Sequence, residues 1–247
     1  MPVFFLPPRS ITPPTVSVTG DLLTHLRDSL RIEVGETLLV ADGADRRYRI
    51  EITAITKQLM TGHVIDVIPR PARRAPSLIL GQALVKGEKM DWVIQKTTEL
   101  GVHTIIPVQS RQSIVQLKPD RIGTQTARWK RIALEAAQQS EQWQVPTIAA
   151  PLSLSSHLTQ KPAHSLALIL TERRDHASTL ANMALPASPE TSILVLVGPE
   201  GGWTEEEVAT AEGAGYVPLT LGPKILRAET AAITAIGILQ HRLGELG

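Results

Sequence analysis

The stretch LVLVGPEGGWTEEEV, Leu194 to Val208, joins an apolar run to a glycine-rich turn and then to a helix start. A continuous apolar run of this kind is typical of a strand buried on both faces. Thr204 and Glu207 have the T-x-x-E spacing of a capping box, which predicts a helix beginning there. The turn Gly198–Gly202 is therefore expected at the carboxyl end of a strand, where open α/β sheets usually bind ligands.

The chemistry of this turn differs from that of a phosphate-binding loop. It matches neither GxxxxGK[ST] nor GxGxxG. Pro199 has no N–H to donate, and the carboxylate of Glu200 would repel an anion. These residues favour a neutral or cationic ligand that the backbone approaches closely, and we expect a positive φ at Gly198. The alternative is a tight strand-to-helix turn that binds nothing.

A second Gly-Pro loop, LGPKILRAETAA, spans Leu221 to Ala232. It follows another predicted strand, which we expect to lie beside the first, and it brings Arg227 and Glu229 to a helix start. The helix has unusually small side chains, which suits close packing on a sheet or across a subunit contact: Ala231, Ala232, Ala235 and Gly237. The alternative is a surface ion pair between Arg227 and Glu229 with ordinary helix capping.

The periodicity of the chain predicts two domains. Residues 1–72 contain short alternating strands and one helix, DLLTHLRDSL, with Leu22, Leu23, Leu26 and Leu30 on one face, which indicates a small β-barrel. The segment Pro69–Ser77 is the predicted linker, because it holds three prolines and three arginines. Residues 73–247 alternate strands and helices, which predicts a mostly parallel α/β sheet.

Composition excludes several classes of function. The 247 residues include no cysteine, which excludes disulfides and thiolate chemistry, and the seven histidines lack zinc-site spacings, so we expect no metal. The net charge of +1 does not indicate a nucleic-acid partner by itself. We also expect no signal peptide and no membrane span, because the apolar runs are too short. The predicted location is cytoplasmic.

The two Gly-Pro motifs resemble the C-terminal signature of the SPOUT methyltransferases. More narrowly, they are similar to the bacterial 16S ribosomal RNA (uracil-N3)-methyltransferase family. Further blocks of similarity cover nearly the whole chain: HLRDSLRIEVGETLLVADG, KGEKMDWVIQKTTELGV, IIPVQSRQSIV and RWKRIALEAAQQS. The chain has Val3 and Gln142 where that family usually has arginine, and Gln142 falls in EQWQVP where the family continues with Gly-Arg.

The resemblance implies a fold, a cofactor and a substrate. The expected fold is a PUA-like RNA-binding β-barrel over residues 1–72, then a SPOUT α/β domain over residues 73–247 with a C-terminal trefoil knot. The implied cofactor is S-adenosyl-L-methionine. The implied reaction is methylation of N3 of uridine 1498 (standard numbering) of 16S rRNA, in the assembled 30S subunit, by a homodimer.

The resemblance also assigns site residues. Arg227 would stabilise the negative charge on the uracil ring, and Glu229 would be the base or would orient Arg227. The implied cofactor-binding residues are Leu170, Thr171, Glu172, Gly198, Pro199, Glu200, Gly201, Gly202, Leu221, Gly222, Ile225, Leu226, Arg227 and Thr230. The implied RNA-binding residues are Arg9, Arg27, Arg31, Lys86, Lys89, Arg111, Arg128 and Arg131.

Two basic clusters extend the predicted RNA surface. Their members are Arg46, Arg47, Arg49, Arg70, Arg73 and Arg74, and then Lys118, Arg121, Arg128, Lys130 and Arg131. The alternative for each cluster, and the preferred one for most of its individual residues, is a solvated helix or loop face. Two other functions stay open for the whole chain: a SPOUT methyltransferase with a different RNA target, and a noncatalytic RNA-binding assembly factor that needs no cofactor.

Overall fold

The computed structural model describes residues 2–162, 165–172 and 178–247. The chain divides into two compact units, which are residues 1–72 with 137–145, and residues 73–136 with 146–247. The first division of the chain falls after residue 72. The segment 137–145 was expected in the second domain, and the structure groups it with the first unit.

The first unit contains a six-stranded sheet in the order β1-β4-β5-β6-β3-β2, in which only the β1–β4 pair is parallel. Leu38, Val40, Ile50 and Ile52 alternate along β4 and β5 into its core. The predicted β-rich character is confirmed. The elements are β1 (Val3–Phe5), β2 (Ile11–Thr12), β3 (Thr15–Val18), α1 (Gly20–Thr24), β4 (Thr37–Ala41), β5 (Arg46–Ile55) and β6 (Met60–Pro69).

The helix predicted at DLLTHLRDSL is shorter and less regular than expected. α1 ends at Thr24 and continues as a π-helical turn over His25–Ser29. Leu23 and Leu26 are buried as predicted, but Leu30 is 47% exposed. The π turn adds a residue to the helical repeat, so Leu30 rotates away from the face that the 3.6-residue period assigned to it.

Two arginines of the predicted basic cluster hold the segment 137–145 on the first unit. Arg47 is only 8% exposed, and its guanidinium lies 3.9 Å from the ring centroid of Trp143. Arg47 also donates to the carbonyl of Glu141, and Arg70 donates to Oε1 of Gln144 at 2.8 Å. Arg47 therefore does not fit the alternative of a solvated face, because an aromatic ring desolvates it. Glu141 has φ 54°, a left-handed conformation that favours the glycine usual here in the related family.

The second unit contains an eight-stranded, entirely parallel sheet in the order β10-β8-β7-β13-β11-β14-β12, with β9 also paired to β8. The predicted parallel α/β architecture is confirmed. The elements are β7 (Ser77–Ala83), α2 (Lys89–Glu99), β8 (Thr104–Gln109), α3 (Pro119–Gln139), β9 (Thr147–Ile148), β10 (Leu152–Ser153), α4 (Leu154–Thr159), β11 (Ser165–Leu170), β12 (Ser178–Thr179), β13 (Ser192–Val197), α5 (Glu205–Gly213), β14 (Val217–Thr220) and α6 (Ala228–Arg242).

The sheet order corrects one expectation about the two Gly-Pro loops. β13 and β14 are not neighbours, because β11 lies between them and pairs with both. The order along the chain does not reveal this insertion, since a later strand can pair on either side of an earlier one. As a result, the loop after β11 lies between the two Gly-Pro loops.

Two helices lie over this sheet as their patterns predict. α2 buries Met90, Val93, Ile94 and Thr97, and it stops before Gly101, which has φ 80°. α6 packs against α2, β7 and β13. Its small residues Ala232 and Ala235 are fully buried, so part of the small-sided face is used within the subunit.

A buried histidine makes the stability of the second unit pH-dependent. His157 is 2% exposed, packs against Gly81 of β7, and neither ring nitrogen has a hydrogen-bond partner among the described residues. Burial lowers the pKa of His157 to about 4, from 6.5. The unfolded chain therefore binds more protons between these two values, and the free energy of unfolding falls as the pH drops through that window.

We expect His157 to contribute about 2 kcal/mol to the loss of stability between pH 7 and pH 5. Urea unfolding at both pH values measures this loss. His157→Leu has no titrating group at this position, so it should lose correspondingly less stability over the same interval. If His157→Leu loses as much free energy of unfolding between pH 7 and pH 5 as the wild-type protein does, His157 is not the group responsible.

Among the described residues, no helix is both long enough and apolar enough to cross a membrane.

Candidate active site

The candidate site lies at the carboxyl edge of the parallel sheet. β7, β13, β11 and β14 all end at this edge, at Ala83, Val197, Leu170 and Thr220. The loops that follow β13, β11 and β14 are the three segments predicted to bind the cofactor. Parallel strands thus bring together residues that are more than fifty positions apart in the chain.

The turn after β13 is tight and ends at a well-formed helix start. The N–H of Gly202 donates to the carbonyl of Pro199 at 3.0 Å, and Gly202 has φ 73°. Glu207 N–H donates to Oγ1 of Thr204 at 3.1 Å, and Thr204 N–H donates to Oε2 of Glu207 at 2.9 Å. The predicted capping box is confirmed, and Glu207 has a structural role.

Two glycines in this turn let side chains approach it closely. A Cβ on Gly198 would lie 3.1 Å from Nε1 of Trp203, and a Cβ on Gly201 would lie 2.6 Å from Oε1 of Gln112. The positive φ expected at Gly198 is wrong, because the left-handed residue of the turn is Gly202. Gly198 is needed for space beside the indole ring.

Glu200 connects this turn to the loop and helix that follow β7. Its Oε1 accepts from the backbone N–H of Lys86 at 3.1 Å and from Nζ of Lys89 at 3.0 Å. Burial alone would raise the pKa of Glu200, but these hydrogen bonds hold that pKa below its ordinary value. The other oxygen, Oε2, is buried and accepts no hydrogen bond from any described residue.

Lys89 also pairs with the first turn of α6. Its Nζ lies 3.9 Å from Oε2 of Glu229. Glu229 is 9% exposed, and this oxygen is buried without a hydrogen-bond partner in the described part of the chain. Lys89, Glu200 and Glu229, hereafter the Lys89 cluster, therefore place two carboxylates around one ammonium group.

Arg227 has a different environment from its neighbour Glu229. It is the N-cap residue of α6, with φ −64° and ψ 152°, and its side chain makes no cap hydrogen bond. The residue is exposed, and no described residue forms a hydrogen bond or ion pair with its guanidinium. The surface ion pair considered between Arg227 and Glu229 is absent from the described contacts, because Glu229 pairs with Lys89.

The remaining predicted cofactor residues line the same three loops. Leu170 is buried at the end of β11, and the N–H of Thr171 donates to the carbonyl of Leu219 at 2.9 Å. Glu172 is exposed and approaches Gly202, since a Cβ there would lie 3.6 Å from Oε1 of Glu172. After β14 the residues are half-buried or exposed: Leu221, Gly222 with φ 124°, Ile225 at 58% exposure, Leu226 and Thr230.

Most of the predicted RNA-binding residues already have a carboxylate partner. The pairs are Arg27–Asp28 at 2.6 Å, Lys89–Glu200 at 3.0 Å, Arg111–Glu206, Arg128–Asp91 at 2.5 Å and Arg131–Glu135 at 3.8 Å. The hydrogen bond from Arg111 lowers the pKa of Glu206. Arg9, Arg31 and Lys86 are exposed. Exposed ion pairs contribute little to stability, so all except Lys89 remain free to exchange a carboxylate for a phosphate.

Carboxylates and cations are mixed at this edge, where Glu172, Glu200 and Glu229 lie in the same loops and helix starts as Lys86, Lys89, Lys224 and Arg227. The turn Gly198–Gly202 itself has one charged side chain, the carboxylate of Glu200, and no phosphate cradle, which fits a ligand that carries positive charge better than an anion. Within residues 2–162, 165–172 and 178–247, no three His, Cys, Asp or Glu side chains are grouped to hold a metal ion.

Two residues that shape this edge were not predicted from the sequence, and a third, Lys89, has partners that the sequence did not predict. Gln112 and Trp203 contact the turn only through folding, and no spacing in the sequence identifies either contact. Lys89 was predicted to contact RNA, whereas the structure turns its ammonium toward two carboxylates. The signal that could have found it is its position at the amino end of a helix after a strand of the same sheet.

Comparison with known proteins adds independent information. Residues 73–240 match the model of a family described as an RNA methyltransferase domain. The ribosomal RNA small subunit methyltransferase E of Bacillus subtilis is 29% identical, over 93% of this chain and 91% of that protein. The protein of the same name from Synechocystis is 30% identical, over 93% of this chain and 74% of that protein. A crystal structure of that enzyme from Neisseria gonorrhoeae, bound to S-adenosyl methionine, is 31% identical with a TM-score of 0.87 and 98% of each chain covered.

Proposed function

Because this chain belongs to the family of ribosomal RNA small subunit methyltransferase E, we propose that it methylates N3 of a uridine in 16S rRNA. It is an S-adenosylmethionine-dependent methyltransferase that acts on small-subunit ribosomal RNA. The base and its position, uridine 1498 in standard numbering, are part of the proposal and rest on the sequence motifs. An rRNA substrate also supports the predicted cytoplasmic location.

The residues at the sheet edge fit this cofactor. S-adenosylmethionine, when bound, supplies an electrophilic methyl group on a sulfonium cation. The backbone of Gly198 and Gly202 would hold it at the turn after β13, and the loops after β11 and β14 would complete the site. The electronegative turn and the unpartnered Oε2 of Glu200 support binding of a cation.

The choice of uracil N3 as the acceptor rests on one observation: a carboxylate and a guanidinium with different environments lie next to each other at the start of α6. Glu229 is buried near Lys89, and its Oε2 has no hydrogen-bond partner among the described residues, while Arg227 beside it is exposed and unpaired there. Methylating N3 of uracil removes the imide proton and spreads negative charge onto O2 and O4. A carboxylate can accept or guide that proton, and a guanidinium can stabilise the charge that develops.

The proposal includes the trefoil knot and the PUA-like barrel. The strand order β13-β11-β14 and the six-stranded sheet of the first unit support them. The exposed arginines of the first unit and of α3 would contact phosphates, and the target base would be unstacked or flipped to reach the enzyme. The proposed substrate is the assembled 30S subunit.

We propose that the chain acts as a homodimer through the outer face of α6. Ala235, one of the small residues of this helix, is fully buried within the subunit and is not available for a contact with a second subunit. Thr234, Gly237 and Ile238 are only half-buried, and a Cβ on Gly237 meets nothing within 4 Å. This face can accept a partner without changing the core.

We expect Gly237→Arg to convert the dimer into a folded monomer, because a long cation would be forced into the contact. Light scattering at micromolar concentration measures the mass, and Gly237→Ala is the matched control that should stay dimeric. A wild-type protein that is monomeric under these conditions would rule out the dimer.

Mapping of rRNA modifications by mass spectrometry tests the proposed reaction. A deletion strain should lack one methyluridine in 16S rRNA, and the wild-type gene should restore it. Loss of a methyl group from another base or from a ribose would indicate a different RNA target. No change in methylation, together with no cofactor binding by calorimetry, would support the assembly-factor alternative.

A further inference from the structure

The Lys89 cluster points to a role for Lys89 that differs from RNA binding. Its ammonium reaches two carboxylates from different loops, Glu200 at 3.0 Å and Glu229 at 3.9 Å. The side chain is 34% exposed, against 62% for Arg111. A lysine that binds phosphate would be expected to keep its ammonium in solvent, whereas this one is directed at carboxylates near the proposed reaction site.

We propose that Lys89 is a positioning residue for methyl transfer, whose ammonium compensates the charge of the Glu229 carboxylate and holds it oriented toward the methyl acceptor. This inference rests on the proposed function, because the acceptor is taken to be a nucleobase with an N–H to lose. Glu229 can act as a base or orient Arg227 only as a carboxylate. A cation beside the carboxylate favours both roles, because it attracts the charged form and fixes its position.

The electrostatic reason lies in the composition of the cluster. The charged groups that contact it in the described residues are Lys89 from α2, Glu200 from the loop after β13 and Glu229 from α6. The backbone N–H groups of Lys86 and of Glu200 itself also donate to the Glu200 carboxylate. Without the ammonium, two partly buried carboxylates would face each other, and like charges at short range favour protonation of one of them.

The geometry leaves two acceptor oxygens of the cluster without a hydrogen-bond donor. Oε2 of Glu200 and Oε2 of Glu229 are both buried without a hydrogen-bond partner in the part of the chain described. A buried acceptor that stays unpaired costs free energy. The ammonium of Lys89 is therefore the nearest compensating charge that the described residues offer to these two carboxylates.

The test compares Lys89→Met, which keeps the apolar stem, with Lys89→Arg, which keeps the charge. Single-turnover methylation of 30S subunits from a deletion strain is measured from pH 5.5 to pH 9. We expect the acidic limb of the Lys89→Met profile to move up by about one unit or more, so that high pH restores much of its rate. Lys89→Arg should keep the wild-type profile.

A second readout does not depend on activity. Protein is labelled with ¹³C at the glutamate carboxyl, and the signals of the cluster are assigned as those that Glu200→Gln or Glu229→Gln removes. Lys89→Met should raise the titration midpoint of at least one of these signals. Thermal melting shows that each variant is folded.

Three outcomes would overturn the proposal. If Lys89→Met raises KM for the subunit and flattens its salt dependence while the pH profile stays fixed, Lys89 is a phosphate contact. If both variants lose the same share of the rate at every pH, the Lys89 side chain has only a structural role in packing. If the carboxyl titrations do not move, the ammonium does not set their charge. Failure of the wild-type protein to methylate would instead refute the proposed function, and the carboxyl titrations would remain interpretable.

Discussion

Arg227→Ala should lower the rate of single-turnover methylation on the order of 100- to 1,000-fold, which corresponds to about 3–4 kcal/mol. The negative charge on the uracil ring exists only as the imide proton leaves. A cation placed there therefore stabilises the transition state more than the bound substrates. The guanidinium is exposed and unpaired among the described contacts, so it needs no rearrangement to reach a ligand.

The affinity for S-adenosylmethionine, measured by calorimetry, should change little in Arg227→Ala. Lys224→Ala removes an exposed cation from the same loop and should keep a near-normal rate. Arg227→Lys should restore only part of the rate, because a point charge cannot reproduce a planar fork against two acceptors. A near-normal rate for Arg227→Ala would remove this residue from the mechanism and redirect the search to Arg111.

Gly198→Val should weaken S-adenosylmethionine binding on the order of 10- to 100-fold. The new Cβ would lie 3.1 Å from Nε1 of Trp203 before its two methyl groups are added. Overpacking of this kind typically costs about 1–3 kcal/mol, which the protein relieves by moving the indole or the turn. If the cofactor needs the unrelaxed turn, binding must restore that strain, and each 1.4 kcal/mol is tenfold in affinity. Displacing the indole would also disturb the turn Gly198–Gly202 that would hold the cofactor.

Calorimetry on the purified protein measures this effect without any RNA. Gly123→Val is the matched control, because a Cβ on Gly123 of α3 meets nothing within 4 Å. Both variants should show cooperative thermal unfolding, which confirms that they are folded. Wild-type affinity in folded Gly198→Val would show that the turn after β13 does not form the cofactor site.

Much of this architecture could be predicted because its signals are local. The apolar run before Gly198 and the T-x-x-E spacing at Thr204 mark a strand end and a helix start within fifteen residues. The buried positions of α2 follow from a 3.6-residue period. The absence of cysteine and of phosphate-loop motifs also restricted the chemistry before any fold was known.

Other features depend on contacts between distant segments. The expected pairing of β13 beside β14 was wrong. Parallel strands are joined by long crossover connections, so a strand can pair with one that is distant in the chain. The burial of Arg47 depends on Trp143, nearly one hundred residues away. The sequence around an arginine does not show whether a distant aromatic ring will pack on its guanidinium.

The sequence by itself determined the parallel sheet, the position of its Gly-Pro loops and the family, because hydrophobic periodicity and short motifs are properties of neighbouring residues. Only the tertiary structure decided that Lys89 faces Glu200 and Glu229, and that Arg227 is left unpaired. Those relations arise where the ends of β7, β13 and β14 meet. The charge state and partners of an ionisable side chain depend on groups brought within a few ångströms by folding, and no spacing along the chain encodes them.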